Sequence, residues 1–178
     1  ELKPKHLPQQ PASIQTLTSR FAFDVNPQGI ALPGGTSTII YNLVTQQIER
    51  EYLSLIGTIR NCSGGVTPWG SWLSCEESVA TADAKIQRDH GYIFEVPANA
   101  NGLVAAVPLK AMGRFNHEAA CVDPSTGIVY LTEDRADSLF YRFIPKAYGE
   151  LSRGGQLQVL SIKGLPKFDS RNWDKKRM

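Results

Sequence analysis

The sequence lacks the features that mark several large classes of protein. Its 178 residues include only 3 cysteines, an odd count that argues against a disulfide scaffold and leaves at least one thiol for burial, metal binding or reactivity. Lys and Arg total 19 against 17 Asp and Glu, for a formal charge of +2. Because no long basic run is present either, we expect no nucleic-acid partner. No stretch approaches the roughly 18 consecutive apolar residues of a membrane span, so we expect no membrane partner.

What remains is typical of a globular domain, with 42% hydrophobic and 20% charged residues. Residues 1–34 are rich in Pro, Gln, Ser and Thr and predict an extended arm or a partial structural unit that precedes the main domain, residues 35–178. The chain opens at Glu1 without the basic start and apolar centre of a secretory signal. We therefore expect processing or truncation.

Short runs of β-branched and aromatic residues recur after Gly35, separated by turn residues such as those around Asn101 and Pro124. This texture predicts an all-β fold built as a meander. A polar segment, Glu77 to Arg88, is as consistent with a loop as with a helix. The predicted strands are Thr36–Leu43, Ser71–Cys75, Tyr92–Val96, Ile128–Thr132, Ser138–Ile144 and Gln156–Ile162.

An internal repeat organises these strands. Trp72–Glu77 aligns with Val129–Asp134, and each is an apolar strand that ends in two acids. Upstream of them, Cys62 falls opposite Glu118. Four short strands every fifty or so residues predict the blades of a β-propeller. The alternative is coincidence, because apolar strands that end in acids are common.

Each aligned stretch is followed by a polar loop and by a further strand that closes on proline. These strands are Gly91–Pro97 and Leu139–Pro145. If the units are blades, equivalent positions face one central axis, and Cys62 and Glu118 lie at corresponding inner positions.

Carboxylates and a thiolate that converge on one axis repel each other unless a multivalent cation neutralises them. Oxygen donors favour Ca²⁺, Mg²⁺ or oxidised iron, and one sulfur among them indicates a transition metal. The alternatives are solvated strand ends for the acids and a small buried hydrophobe for Cys62. Asn61, Ser63 and the two following glycines favour a tight turn around Cys62 rather than a core strand. Cys75 and Cys121 are interpreted as buried hydrophobes.

Other side chains near these positions have two interpretations each. His117 either orients Glu118 or lies on the surface. Its HisGlu pair lacks the second histidine of the zinc-protease helix. Three arginines within four residues of a proposed ligand either bind an anionic oxygen by two hydrogen bonds or form structural ion pairs. They are Arg60, Arg114 and Arg135.

The signatures at these positions, taken together, resemble the PhoX-type alkaline phosphatases. Four signatures occur in the family order between about Gly35 and Pro145. They are Ser54–Glu77, His90–Val96, Gly113–Ala119 and Tyr130–Asp134. The first contains Asn-Cys-Ser-Gly-Gly and Thr-Pro-Trp-Gly, and the third contains Asn-His-Glu-Ala.

The resemblance implies a six-bladed propeller phosphatase with iron and calcium at its axis, of which this chain supplies about three blades as a fragment. Cys62 then matches the iron-binding thiolate, Glu77 a carboxylate ligand of the same cluster, and Glu118 a bridging glutamate. Three further acids are candidates for calcium or supporting roles. They are Glu76, Glu133 and Asp134.

The resemblance also implies hydrolysis of a broad range of phosphate monoesters by an oxygen nucleophile that the metals hold. It implies a periplasmic or secreted protein that is monomeric at full length. Asn61, His117 and Arg135 are candidates to support the ligands or the substrate. The remaining carboxylates and the substrate-binding arginine are expected beyond Met178.

Two other functional classes stay open at this point. One is a propeller that binds a partner without catalysis. The other is a calcium-dependent lactonase or esterase propeller, which uses axial carboxylates but needs no thiolate. Cys62 argues against the second class, because a hard calcium site gains nothing from sulfur.

Overall fold

The computed structural model describes residues 20–165 and 168–169, and its regular secondary structure consists almost entirely of strands. The all-β prediction is confirmed. Two short 3₁₀ turns, Lys110–Met112 and Leu151–Arg153, interrupt the strands. The strands are β1 (Gly34–Asn42), β2 (Gln47–Thr58), β3 (Asn61–Val66), β4 (Ser71–Glu76), β5 (Ile93–Pro97), β6 (His117–Val122), β7 (Val129–Glu133), β8 (Tyr141–Pro145) and β9 (Gly155–Val159).

Seven strands form one continuous sheet in the order β5-β4-β3-β6-β7-β8-β9. Neighbours pair antiparallel except β3 and β6, which run parallel and meet at Gly64 and Ala119. The sheet therefore consists of two meanders, β3–β5 and β6–β9, whose first strands lie side by side. Adjacent propeller blades place their innermost strands in this way around the axis. The chain is a partial β-propeller.

The repeat seen in the sequence corresponds to this topology. β3 and β6 are the first strands of their units, β4 and β7 the second, and β5 and β8 the third. Cys62 lies in β3 and Glu118 in β6, so the two residues occupy corresponding inner strands. The alignment of Trp72–Glu77 with Val129–Asp134 is therefore structural rather than coincidental.

A separate hairpin, β1–β2, precedes the seven-stranded sheet. Its tip is exposed, whereas the end of β2 is buried around Leu55 and Ile56. Residues 20–33 pack against this buried end, where the Phe23 amide donates to the Ile56 carbonyl over 3.1 Å. Residues 1–19 of the predicted arm lie outside the described residues.

All six predicted strands overlap observed ones, but β2, β3 and β6 were not predicted. β3 contains two glycines, and β6 carries His, Glu and Ala, so neither has the usual composition of a strand. The expectation of a tight turn at Cys62 is therefore wrong. The segment is a strand with a bulge between Cys62 and Gly65. Glu77 to Arg88 is not helical.

The interior of the two units is one apolar cluster that spans the junction between them. Its fully buried members include Leu73, Ile93, Met112, Leu131 and Phe143. A second cluster holds Phe23, Leu55, Phe94 and Val96 and joins the hairpin to the first unit. Among the residues that the structure describes, no helix is long and apolar enough to cross a membrane.

Gly65 lies where the backbones of the parallel strands β3 and β6 come closest, and we expect that only glycine fits there. A Cβ on this residue would collide with the carbonyl oxygen of Ala120 in the neighbouring strand. We predict that Gly65→Ala lowers the free energy of unfolding by about 1–3 kcal/mol, because the backbones of the two units must separate. Urea unfolding followed by tryptophan fluorescence measures the change.

Gly102→Ala is the matched control for this prediction, because a Cβ at Gly102 meets no atom within 4 Å. Its unfolding midpoint should stay at that of the unmodified chain. Equal midpoints for the two variants would contradict the close contact between β3 and β6.

Candidate metal centre

The site is organised by the alternation of side chains along β4 and β7. Each strand ends in two adjacent acids, and adjacent residues of a strand point to opposite faces of a sheet. Glu76 and Glu133, the first acid of each pair, therefore face one side. Glu77 and Asp134, the second acids, face the other side, together with Cys75 two residues before Glu77.

Glu76 is fully buried, at 0% exposure, and both of its carboxylate oxygens are held by internal donors. Oε1 accepts the amide of Ile59 over 3.0 Å and lies 2.7 Å from Nδ1 of His90. Oε2 accepts the amides of Gly91 and Tyr92 over 2.8 and 3.2 Å. With these contacts Glu76 stabilises the fold, because both of its oxygens are engaged by donors from the chain itself.

His90 joins Glu76 to a second buried carboxylate, that of Asp24. Its Nε2 lies 3.2 Å from Asp24 Oδ2, and the same oxygen accepts the amides of Gln87 and Arg88. Burial disfavours the charged ring, but the hydrogen bonds and charges of Glu76 and then Asp24 outweigh it and raise the pKa of His90 above its ordinary value. The roles of Asp24 and His90 could not be predicted from the sequence, because the two residues lie 66 positions apart in the chain.

Glu133 is the counterpart of Glu76 in the second unit. It accepts a hydrogen bond from the hydroxyl of Tyr141 over 2.9 Å and a longer one, 3.4 Å, from the amide of Leu139. Burial and then the bond to Glu133 raise the pKa of Tyr141 to about 12. Both first acids thus bind residues at or just before the third strand of their own unit, which is a structural task.

On the other face, acids from the two units meet. Glu77 shares a hydrogen bond with Asp134, and this contact is the main reason that the pKa of Glu77 is raised. Glu118 adds to the rise through its negative charge, whereas Arg60 opposes it. Glu118 itself accepts a hydrogen bond from the hydroxyl of Thr132 over 3.2 Å. The structure therefore brings together Glu77, Glu118 and Asp134.

Cys62 in β3 is the register partner of Cys75 in β4. Opposed residues of paired strands share a face of the sheet, so Cys62 lies on the same face as Cys75 and Glu77. Burial, and after it the charges of the neighbouring Cys62 and Glu118, raise the pKa of Cys75 to about 12 against the opposing effect of a hydrogen bond from the amide of Gly64. The two thiols and Glu118 thus share one neighbourhood. We call Cys62, Glu77, Glu118 and Asp134 the acidic cluster.

Arg60 holds Glu77 in place. Its Nη2 lies 3.5 Å from Glu77 Oε2, and its Nε donates to the Glu77 carbonyl over 3.2 Å. The Glu77 amide in turn donates to the Arg60 carbonyl over 3.0 Å. Arg60 adopts a left-handed conformation, with φ 46°.

Three other sequence candidates have structural contacts. Asn61 donates to the hydroxyl of Ser74 over 2.7 Å. His117 is fully buried, with its pKa lowered to about 4 by burial, and its Nε2 lies 3.2 Å from the Gly113 carbonyl. Its ring packs against that of Phe115 at an interplanar angle of 33°. Arg135 is half exposed and lies 3.5 Å from Asp137.

Two further interpretations from the sequence are changed by the structure. Cys121 is exposed in β6, so the expectation of a buried hydrophobe is wrong there, whereas Cys75 is buried as expected. Arg114 donates to the carbonyls of His90, Val79 and Ala80, which fixes a loop and leaves its guanidinium committed to backbone oxygens.

The donor chemistry of the acidic cluster fits a cation. Two carboxyl groups close enough to share a proton, with a third beside them, gain from a positive charge between them. A thiol next to oxygen donors suits a transition metal. Within residues 20–165 and 168–169, however, no group of three or more His, Cys, Asp or Glu side chains is arranged so that it could hold a metal ion.

Comparison with known proteins identifies relatives of the chain. The family model described as alkaline phosphatase PhoX matches residues 30–175. No curated protein matches. Among solved structures, PhoX of Pseudomonas fluorescens in complex with vanadate, a transition state analogue, aligns with a TM-score of 0.47 and 20% identity. The alignment covers 71% of this chain and 31% of that one, so the chain spans less than a third of the length of that protein.

The raised pKa of His90 predicts how stability depends on pH. Between the unfolded pKa of about 6.5 and the higher folded pKa, the folded state binds more protons than the unfolded state. The stabilisation by His90 is therefore fully present below about pH 6.5 and is lost as the pH rises through the folded pKa. His90→Gln, which cannot titrate, should show a smaller loss of stability over this range.

Urea unfolding midpoints measured in steps between pH 5.5 and pH 9 test this prediction. Gly102→Ala, which adds no titratable group and places a Cβ that meets no atom within 4 Å, is the control and should retain the pH dependence of the unmodified chain. If His90→Gln and the unmodified chain lose stability in parallel, His90 is not charged in the folded state.

Proposed function

The chain belongs to the PhoX family of alkaline phosphatases, and from this premise we propose that it contributes part of the active site of a metal-dependent phosphate monoester hydrolase. The observation that carries the proposal is the meeting of Glu77, Glu118 and Asp134 from two blades, beside the thiol pair that includes Cys62. A cation between these carboxyl groups would relieve the repulsion that a shared proton and Arg60 relieve in its absence. Iron and calcium are the metals we propose.

Within the acidic cluster we propose that Cys62, Glu77 and Glu118 serve iron and that Asp134 is a candidate for calcium. When bound, such metals supply Lewis acidity and positive charge for the phosphoryl oxygens. The remaining ligands would come from residues outside this chain, which spans less than a third of its solved relative.

The residues of this chain have the task of holding the cluster in place. Arg60 fixes Glu77 through its guanidinium and its backbone. Glu76, immediately before Glu77, ties the end of β4 to Ile59 and to His90. Thr132 orients Glu118 from the adjacent strand. These contacts keep the carboxylates close together at the start of the two blades and so preorganise them for a cation.

Arg135 remains a candidate to contact the substrate, since its side chain is half exposed next to Asp134. A phosphate monoester carries anionic oxygens that a guanidinium can bind by two hydrogen bonds. We further propose that the whole protein is monomeric and acts in the periplasm or outside the cell, as the family resemblance implies.

Substitution of Cys62 tests the proposed metal centre. In the full-length protein, Cys62→Ser should lose bound iron and lower the hydrolysis of a chromogenic phosphate monoester by roughly 100-fold or more, since even the residues behind metal ligands cost 10- to 100-fold when they are replaced. Elemental analysis and the activity assay measure the two effects.

Cys121→Ser is the matched control, because Cys121 is exposed outside the acidic cluster. It should leave both metal content and activity unchanged. An active protein free of iron would refute the proposed centre, and a protein that binds metal without hydrolysing the ester would indicate a binding propeller without catalysis.

The adjacent acids Glu76 and Glu77 provide a second test. We predict that Glu76→Gln lowers the free energy of unfolding by about 3–5 kcal/mol, because it removes one charge of a buried hydrogen-bonded pair with His90. Glu77→Gln should instead lower the metal content while keeping the stability of the metal-free protein near that of the unmodified one.

Urea unfolding in the presence of a chelator and elemental analysis of the loaded protein separate the two effects. The reverse pattern, with metal loss at Glu76 and unfolding at Glu77, would mean that the two acids have been assigned to the wrong faces of β4.

A further inference from the structure

Cys62 and Cys75 form a cross-strand pair of free thiols. They are direct register partners in the antiparallel strands β3 and β4. Directly opposed residues in such strands have Cα atoms about 4.5–5.5 Å apart and side chains on the same face. Disulfides span Cα separations of about 4.4–6.8 Å. Register partners in such strands therefore fall within the range of Cα separations that a disulfide bridges.

The two thiols differ in accessibility, and this difference sets the order in which they can react. Cys62 is partly exposed, whereas Cys75 has an exposure of 0%. A reagent from solution therefore meets Cys62 first.

We propose that Cys62 and Cys75 are a site of thiol–disulfide exchange, at which a small-molecule disulfide oxidises the pair to a cross-strand disulfide. Cys62 receives the oxidant and Cys75 resolves the adduct. Formation of this disulfide does not depend on the proposed function. Its effect on metal binding does rest on the proposed function, because a sulfur in a disulfide is no longer a thiolate ligand.

The exchange balances with an oxidant of the disulfide class such as oxidised glutathione. The Cys62 thiolate attacks one sulfur of the oxidant, forms a mixed disulfide and expels one glutathione thiolate. The Cys75 sulfur then attacks Sγ of Cys62 as its proton leaves, and the second glutathione thiolate departs. The two protein thiols are oxidised, the oxidant is reduced to two thiols, and the two protons pass to the departing thiolates.

If Cys62 serves a metal as proposed, the disulfide and the metal compete for the same sulfur. Oxidation would then block metal loading of the acidic cluster until a thiol reductant reopens the pair. Bound metal would in turn protect Cys62 from the oxidant.

The test begins with the 178-residue chain, reduced, freed of metal with a chelator and then incubated with oxidised glutathione. Trypsin releases residues 61–85 as one peptide that contains both cysteines, and Cys121 in another peptide, residues 115–135. We expect the first peptide to lose the mass of two hydrogens and the second to keep a free thiol or carry only a glutathione adduct.

Variants identify the role of each thiol. Cys75→Ser should accumulate a stable glutathione adduct on Cys62, Cys62→Ser should leave Cys75 reduced, and Cys121→Ser should form the disulfide like the unmodified chain. The peptide mass of the unmodified chain decides the result even where a variant does not fold. A first peptide with a glutathione adduct but no internal disulfide would overturn the proposal.

A second arm separates this inference from the proposed function. Zn²⁺ binds thiolates without redox chemistry, and we expect prior loading with Zn²⁺ to slow disulfide formation at least tenfold. Disulfide formation at an unchanged rate would support the exchange site but would count against Cys62 as a metal ligand. Absence of the disulfide both with and without Zn²⁺ would overturn the proposed exchange site.

Discussion

Compensation of buried and clustered negative charge is the constraint on which this structure depends. Two strands each end in a pair of acids, and alternation sends one acid of each pair to either face. A carboxylate removed from water needs hydrogen-bond donors or a cation. On one face the protein supplies the donors itself, through His90 and backbone amides at Glu76 and through Tyr141 at Glu133. On the other face it supplies an arginine, Arg60, and leaves a concentration of carboxyl groups.

The hydrogen-bonded face of β4 supports the face that carries the acidic cluster. The network of Asp24, His90 and Glu76 connects three separated stretches of chain, so it fixes both the end of β4 and the residues that lead into β3. Glu77 and Cys62 follow directly from these anchored points. A rigid, internally satisfied face therefore supports a face whose acids remain available, an arrangement that suits a site in which ligands must be held in position before a metal arrives.

The resemblance stated from the sequence and the match of the family model to residues 30–175 agree on the family. The sequence also predicted the repeat, the strands rich in Val, Ile and aromatic residues, and the inner positions of Cys62 and Glu118. It did not predict β3 or β6, because these strands owe their form to close backbone contact, as at Gly65 beside Ala120, and not to strand propensity. The roles of Asp24 and His90 were not predicted either, because their contact joins distant parts of the chain and no local sequence pattern indicates it.

The amino-acid sequence by itself determined the family, the all-β class and the set of residues from which a metal site can be drawn, because motifs and periodicity are local properties of the chain. The tertiary structure alone decided which member of each acid pair faces the acidic cluster and which is hydrogen-bonded within the fold. It also decided that Cys62 lies opposite Cys75. These outcomes depend on strand register and on contacts between distant segments, where a shift of one residue exchanges the two faces of a strand.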